Sequence, residues 1–66
     1  MENDNGRAEL VACAISKAVC ELMSKGHEVT VNATVARLEA YRLSEKDFLR
    51  AGVFRDAALM VKNGKI

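Results

Sequence analysis

The stretch DFLRAGVFRDAALMV, from Asp47 to Val61, decides the fold of this 66-residue chain. Its apolar side chains recur at helical spacing and predict a helix over about residues 45–62. They form two neighbouring stripes, the first Leu49, Val53, Ala57 and Met60 and the second Phe54, Ala58 and Val61. A helix with so wide an apolar arc is contacted from more than one side, so we expect it to organise the packing.

Small residues stand within this helix, at Gly52, Ala57 and Ala58. Glycine inside a helix costs about 1 kcal/mol relative to alanine. Because small side chains let a second helix come close, we expect tight packing here, either on the first helix or on a second copy of the chain. The contact with a second copy or another partner is predicted to use the apolar residues Leu49, Val53, Phe54, Ala57, Met60 and Val61.

Upstream of this stretch, the sequence predicts a first helix over about residues 7–25. Its apolar positions follow a four–three spacing, at Val11, Ile15, Ala18 and Leu22. Gly26 has the position of a left-handed cap at the C-terminal end of this helix. The stretch HEVTV, residues 27–31, has no partner strand and is predicted to be a loop, with Thr30 or Asn32 as the cap of the next helix.

A second helix is predicted over about residues 31–42. One of its faces carries Val31, Val35, Leu38 and Tyr41. The stretch LSEKDF follows it, over residues 43–48, and has a capping-box pattern with Ser44 three residues before Asp47. Its first and last residues fit a hydrophobic staple, so we expect the third helix to begin here.

These patterns together predict an all-α fold. Three short helices pack in an antiparallel, hairpin-type arrangement and form a single small domain over residues 1–66. Residues 1–6 are predicted to be a flexible acidic tail. A chain of this length buries only about 60% of its unfolded surface, and such domains often rely on disulfides, metal ions or oligomerisation. We therefore predict a homodimer.

The reactive side chains give little support to catalysis. Cys13 and Cys20 are seven residues apart on one predicted helix, about 10 Å along its axis, which is too far for an intrachain disulfide. Two buried thiols are expected instead, with a disulfide between two chains as the alternative. His27 has no acid or thiol partner by spacing, and a zinc site needs four ligands. No enzymatic activity, metal, cofactor or small-molecule substrate is predicted, while a redox role of the thiols and pH sensing by His27 stay open.

The charge balance leaves DNA binding as an alternative. Ten basic and nine acidic residues give a net charge of +1, but residues 34–66 hold seven basic against four acidic residues. The helix–turn–helix order in this half would allow phosphate contacts. The side chains that would make these contacts are Arg42, Lys46, Arg50 and Arg55. Acidic residues alternate with them, which favours a solvated face of mixed charge.

Neither end of the chain nor its interior indicates a membrane. No apolar run reaches the length of a membrane span, and the first residues, MENDNGRAEL, are too polar for a secretory signal. Because no disulfide is expected either, we predict a cytoplasmic location.

Two stretches, KAVCELMSKGHEV (residues 17–29) and SEKDFLRAGVFRDAALMV (residues 44–61), resemble the small enterobacterial biofilm-development and acid-resistance regulators, the connector proteins of two-component systems. The resemblance extends without a gap over residues 16–61. Gly52 departs from it, because the family has a more polar residue there. The matching positions are Ala18, Val19, Leu22, Met23, Gly26, Val29, Leu38, Asp47, Phe48, Leu49, Arg50, Ala51, Val53, Phe54, Arg55 and Val61.

This resemblance implies an all-helical homodimer and a non-enzymatic regulator. Such a protein would act in biofilm and acid-stress signalling by binding a component of a phosphorelay, such as a response regulator or a sensor. The resemblance also keeps direct DNA binding under consideration. A phage-type small protein inhibitor is a further alternative, since it too would bind a protein.

Overall fold

Three α-helices make up the part of the chain that the structure, a computed structural model, describes. This part comprises the backbone of residues 3–64 and the side chains of residues 6–64. The helices are α1 (Asn3–Ser24), α2 (Val31–Ser44) and α3 (Phe48–Asn63). The all-α prediction is confirmed. α1 begins four residues earlier than predicted, within the predicted tail, and residues 1 and 2 of that tail lie outside the described range.

α1 ends in the glycine cap that the sequence predicts. Gly26 has a φ of 74°, in the left-handed region that strains other residues. Its N–H donates to the carbonyl of Met23 at 3.0 Å, and the N–H of His27 donates to the carbonyl of Leu22 at 2.9 Å. This pair of hydrogen bonds is the Schellman motif, which stops α1 and directs the chain into the connector.

The predicted loop and the cap at Thr30 are confirmed. Thr30 is extended, and its Oγ1 accepts a hydrogen bond from the N–H of Ala33 at 3.0 Å. Thr34 lies one turn further on and is buried, but its hydroxyl donates to the carbonyl of Thr30 at 2.7 Å. Residues 27–30 between the two helices form a connector with neither helix nor strand.

The start of α3 differs from the predicted capping box. Asp47 is the N-cap, and its Oδ1 accepts hydrogen bonds from the N–H of Leu49 at 2.9 Å and of Arg50 at 3.4 Å. Ser44 is instead the last residue of α2, where its hydroxyl donates to the carbonyl of Tyr41 at 3.2 Å. The predicted cap at Ser44 is wrong because α2 extends two residues further than expected and keeps Ser44 helical.

The predicted hydrophobic staple is lost for the same reason. With Asp47 as the N-cap, Leu43 and Phe48 no longer occupy the two positions of a staple. Both side chains are largely in solvent, with 75% of Leu43 and 88% of Phe48 exposed. The turn between α2 and α3 therefore presents apolar side chains at the surface.

The core is one cluster to which all three helices contribute. Leu38 of α2 is fully buried in it. The other buried apolar residues are Val11, Ala14, Ala18 and Leu22 of α1 and Val53, Ala57 and Ala58 of α3. Small side chains at a helix contact shorten the distance between the axes. Ala57 and Ala58 are thus part of tight packing within the chain, one of the two alternatives that the sequence left open.

A polar and aromatic contact joins the three helices at the edge of this core. Tyr41 of α2 donates its hydroxyl to the Glu21 carboxylate of α1, and Lys17 Nζ lies 4.9 Å from the centroid of the Tyr41 ring. The same ring packs on Phe54 of α3 at a centroid distance of 5.3 Å and a tilt of 53°. Burial and the hydrogen bond to Glu21 raise the pKa of Tyr41 to about 12, and this hydrogen bond lowers the pKa of Glu21.

We expect acid to remove the stabilisation that Glu21 contributes. Because the pKa of Glu21 is lower in the folded chain, its ionised form stabilises the fold above the ordinary pKa of 4.5, and this stabilisation is lost as the pH falls through the lowered value. Glu21→Gln keeps an acceptor for Tyr41 but carries no charge. In this variant, the urea concentration at the unfolding midpoint should fall less steeply with acid below about pH 5 than it does in the parent.

The matched control for this measurement is Glu9→Gln, on an exposed position of α1. It should leave the decline of the midpoint with acid as steep as in the parent. If Glu21→Gln also declines as steeply as the parent, Glu21 is not a source of the acid sensitivity.

Candidate functional site

An open cleft of 410 Å³ lies beside the first two turns of α3. The end of α2 and the beginning of α1 complete its walls. Its lining consists of three arginines and a strip of α3: Arg7, Arg42, Phe48, Leu49, Ala51, Gly52 and Arg55. We call it the arginine cleft.

The apolar wall of the arginine cleft is mostly exposed. Phe48, the first residue of α3, is 88% exposed, and Leu49 is 73% exposed. They stand directly after the cap at Asp47 and one turn before Val53, where α3 enters the core. Large apolar side chains that are exposed side by side are a common mark of a binding surface.

The basic wall carries more positive than negative charge. Arg7 pairs with Asp56, and Arg55 Nη2 lies 3.5 Å from the other oxygen of the same carboxylate. The hydrogen bond from Arg7 lowers the pKa of Asp56, so this carboxylate is ionised at neutral pH. Arg42 reaches Glu39 Oε1 at 2.6 Å. Among the described side chains, three guanidinium groups thus share two carboxylates.

Gly52 lies at the cleft and not in a close contact between helices. A β-carbon added at this position would meet only the guanidinium of Arg7, at an ordinary contact distance of 3.8 Å. The expectation that Gly52 permits close approach of another helix is therefore wrong for the packing within the chain. The absent side chain instead leaves the arginine cleft open along α3.

Gly52→Ala should stabilise the isolated chain. Alanine is favoured over glycine by about 1 kcal/mol inside a helix, and the added methyl group has room. A gain of this size raises the melting temperature of so small a domain by about 4–8 °C. Thermal unfolding followed by circular dichroism at low protein concentration measures this shift.

The neighbouring substitution Ala51→Gly is the matched control, and it should lower the melting temperature by a similar amount. A loss of stability in Gly52→Ala would contradict the open position. At low concentration it would indicate that a helix of the same chain packs closely against Gly52, whereas a loss seen only at high protein concentration would indicate a second copy.

The six residues predicted for a dimer or partner interface lie in different surroundings. Val53 and Ala57 are buried by the other helices of the same chain. Phe54 and Val61 are half-buried and pack against the core. The two exposed members are Leu49 and Met60, at 73% and 37%. In this fold Val53 and Ala57 are thus not accessible to a partner, and Leu49 is the member that lines the arginine cleft.

The four basic residues considered for DNA do not line one common surface. Arg42 and Arg55 line the arginine cleft, and both are engaged with carboxylates. Arg50 lines a separate depression of 270 Å³, together with Lys17. Lys46 is exposed in the turn between α2 and α3. The four are thus divided between two depressions and the turn, and carboxylates pair with two of them.

The cysteines correct another expectation. Cys13 and Cys20 are both exposed free thiols, so the prediction that they are buried is wrong. The reason is the register of α1, which turns Ala14 and Ala18 into the core and leaves the cysteines on the outer side. His27 is exposed in the connector beside Arg37 of α2.

Neither a metal site nor a membrane-spanning helix is present in the described part of the chain. Among the side chains of residues 6–64, no three from His, Cys, Asp or Glu converge as a metal site would require. None of the helices within residues 3–64 has both the length and the apolar character needed to cross a membrane.

The fold and the cleft define a small all-α protein with an open cleft of mixed basic and apolar lining. No protein-family model, no curated protein and no solved structure matches this chain. The resemblance to the connector proteins therefore stays a prediction.

Two contributors to the arginine cleft were not singled out from the sequence. Arg7 lies 49 residues from its partner Asp56, so no local pattern links them. Phe48 looks like part of a staple as long as Ser44 is taken as the cap. Phe48 could have been identified by its position. It is an aromatic residue directly after an Asp cap and about one turn before the core stripe of its helix.

Proposed function

We propose that this chain is a non-enzymatic regulatory protein that acts by binding another protein. The observation that carries this proposal is the exposure of Phe48 and Leu49 beside the arginines of the cleft. Aromatic residues and arginine are enriched at protein interfaces and among the residues that contribute most to their binding energy. An open surface cleft suits a segment of a protein better than a small substrate, which sites of catalysis usually enclose.

The basic residues favour a protein over DNA as the partner. Arg42 and Arg55 have carboxylates beside them, and Glu45 and Asp47 flank Lys46 in the exposed turn. Nonspecific binding to a phosphate backbone needs several basic groups along one surface, and these carboxylates interrupt such a surface.

The resemblance in the sequence supports a more specific role. It would make the partner a phosphorelay component, such as a response regulator or a sensor, and would place the protein in cytoplasmic signalling of biofilm and acid-stress responses. A homodimer belongs to the same proposal. Met60 is the residue of the predicted interface that remains exposed for it away from the arginine cleft.

The test is capture of partners from a nuclease-treated enterobacterial lysate on the immobilised protein, with mass spectrometry of the eluate. We expect a response regulator or a sensor kinase that Phe48→Ala no longer retains. Met23→Ala is the matched control, because Met23 is an apolar residue with 64% exposure that does not line the arginine cleft. Calorimetry with the purified candidate then measures direct binding.

Two results would contradict the proposal. One is that the immobilised parent retains no protein beyond those that a bare column also retains. The other is retention of duplex DNA, in the absence of nuclease, that falls steeply with salt, because this is the behaviour of a phosphate-binding protein.

A further inference from the structure

We infer that the arginine cleft binds a partner segment in which the carboxylate of an Asp or Glu stands next to a large apolar side chain. This inference rests on the proposed function and names the chemistry of its partner. It commits to an acidic amphipathic peptide segment as the occupant of the cleft.

The charge of the cleft selects a carboxylate. Three guanidinium groups surround it, and the two nearby carboxylates of Glu39 and Asp56 neutralise two of these charges. The surplus is one positive charge at an open surface. The Arg42 and Arg55 side chains remain 37% and 61% exposed, so each has N–H groups that an incoming group can reach. Guanidinium binds carboxylates with two parallel hydrogen bonds, which a single Lys cannot do.

The apolar wall selects the neighbour of that carboxylate. Phe48 and Leu49 follow each other on α3 and lie at the same cleft as the arginines. A partner with acidic residues alone would leave both side chains in water, and a purely apolar partner would leave the surplus arginine charge without a counterion. A segment with a carboxylate and a large apolar side chain can contact the arginines and the apolar wall at the same time.

Gly52 makes room for such a segment. Its position lines the cleft, and outside its own stretch of α3 only the guanidinium of Arg7 lies within 4 Å of where its β-carbon would be. A large side chain here would extend into the volume that the partner segment occupies. Gly52→Leu is therefore a blocking substitution, and since leucine favours helix over glycine it is not expected to unfold α3.

A second copy of the chain fits this cleft less well. In a two-fold symmetric dimer the same patch faces itself, so the surplus positive charge of one cleft would meet that of the other. The apolar pair would be satisfied by such a contact, but the arginines would repel each other. The charge thus favours a different chain with acidic groups.

The experiment begins with selection of a random dodecapeptide library, displayed on phage, against the full-length protein. We expect enrichment of peptides with Asp or Glu next to Leu, Ile, Phe or Trp. The strongest peptide is then synthesised with a fluorescent label, and its Kd is measured by anisotropy. Phe48→Ala, Arg55→Gln and Gly52→Leu should each weaken binding about tenfold or more, and added salt should weaken it further.

Two matched controls accompany these variants. Met23→Ala removes an exposed apolar side chain, and Lys62→Gln removes an exposed positive charge, both at positions that do not line the cleft. Both controls should bind the peptide with the Kd of the parent. Circular dichroism of every variant verifies that the helices are intact.

Three results would overturn the inference: no enriched peptide, enriched peptides without acidic residues, or equal binding by the parent and all three cleft variants. Failure of the proposed function looks different. If the peptides bind in the cleft but the lysate yields no protein partner, the inference holds and the proposed function fails. If a phosphorelay protein is captured equally well by the parent and the cleft variants, the proposed function holds and the inference fails.

Discussion

Leu38→Ala should bring this protein close to unfolding. Leu38 is the largest fully buried side chain among the described residues, and its removal leaves a cavity at the centre of the three helices. Substitutions of this kind cost about 2–5 kcal/mol. A domain of 66 residues has a total free energy of unfolding of only about 3–10 kcal/mol. The loss is thus a large part of the whole.

Urea unfolding followed by circular dichroism measures this loss, and the matched control is Leu43→Ala on the same helix. Leu43 is 75% exposed, so its truncation should change the free energy of unfolding by less than about 0.5 kcal/mol. If both variants unfold at the same urea concentration, Leu38 is not at the centre of the core, and α2 must pack differently.

Val53→Asp should unfold the chain and not merely separate two copies of it. Val53 is 9% exposed and packs with Ala57 and Ala58 in the intrachain core. A carboxylate there would be largely removed from water, which costs several kcal/mol, a large part of the total stability of a domain of this size. We expect the helical circular dichroism signal to be absent at 25 °C and neutral pH.

Leu49→Asp is the informative counterpart, one turn earlier on the same helix. Leu49 is 73% exposed in the single chain, so the substitution should leave the helical signal unchanged. Light scattering on this variant tests the predicted dimer separately from the fold. A parent of twice the 7.2 kDa chain mass that becomes a folded monomer in Leu49→Asp would support a dimer contact at Leu49. A folded, dimeric Val53→Asp would contradict the core placement of Val53.

Much of the fold could be read from local patterns. The glycine after Lys25, the Thr at position 30 and the apolar spacing of α1 each act within a few residues, because caps and helical periodicity are local interactions. The order and type of the helices were predictable for this reason. Their exact ends were not, as the extension of α2 through Ser44 demonstrates.

The candidate site was only partly predictable. Arg42 and Arg55 were considered from the sequence, but for phosphate contacts, and Leu49 was considered for a dimer. What joins them in one cleft is the packing of α1, α2 and α3, which also brings Arg7 to Asp56 across 49 positions of the chain. Contacts between residues this far apart in the sequence leave no periodic pattern in it.

The clearest contrast is within α3. α3 is expected to be helical whatever it packs against, because the signals for a helix are local. These signals are its two apolar stripes, its small residues and the closing glycine at position 64. Which side chains became core and which became surface depended on the other two helices. Val53 and Ala57 are covered by them, while Phe48 and Leu49, one turn before, extend past the covered part of the helix. Burial is a property of the assembled helices, so the arginine cleft forms only when they pack.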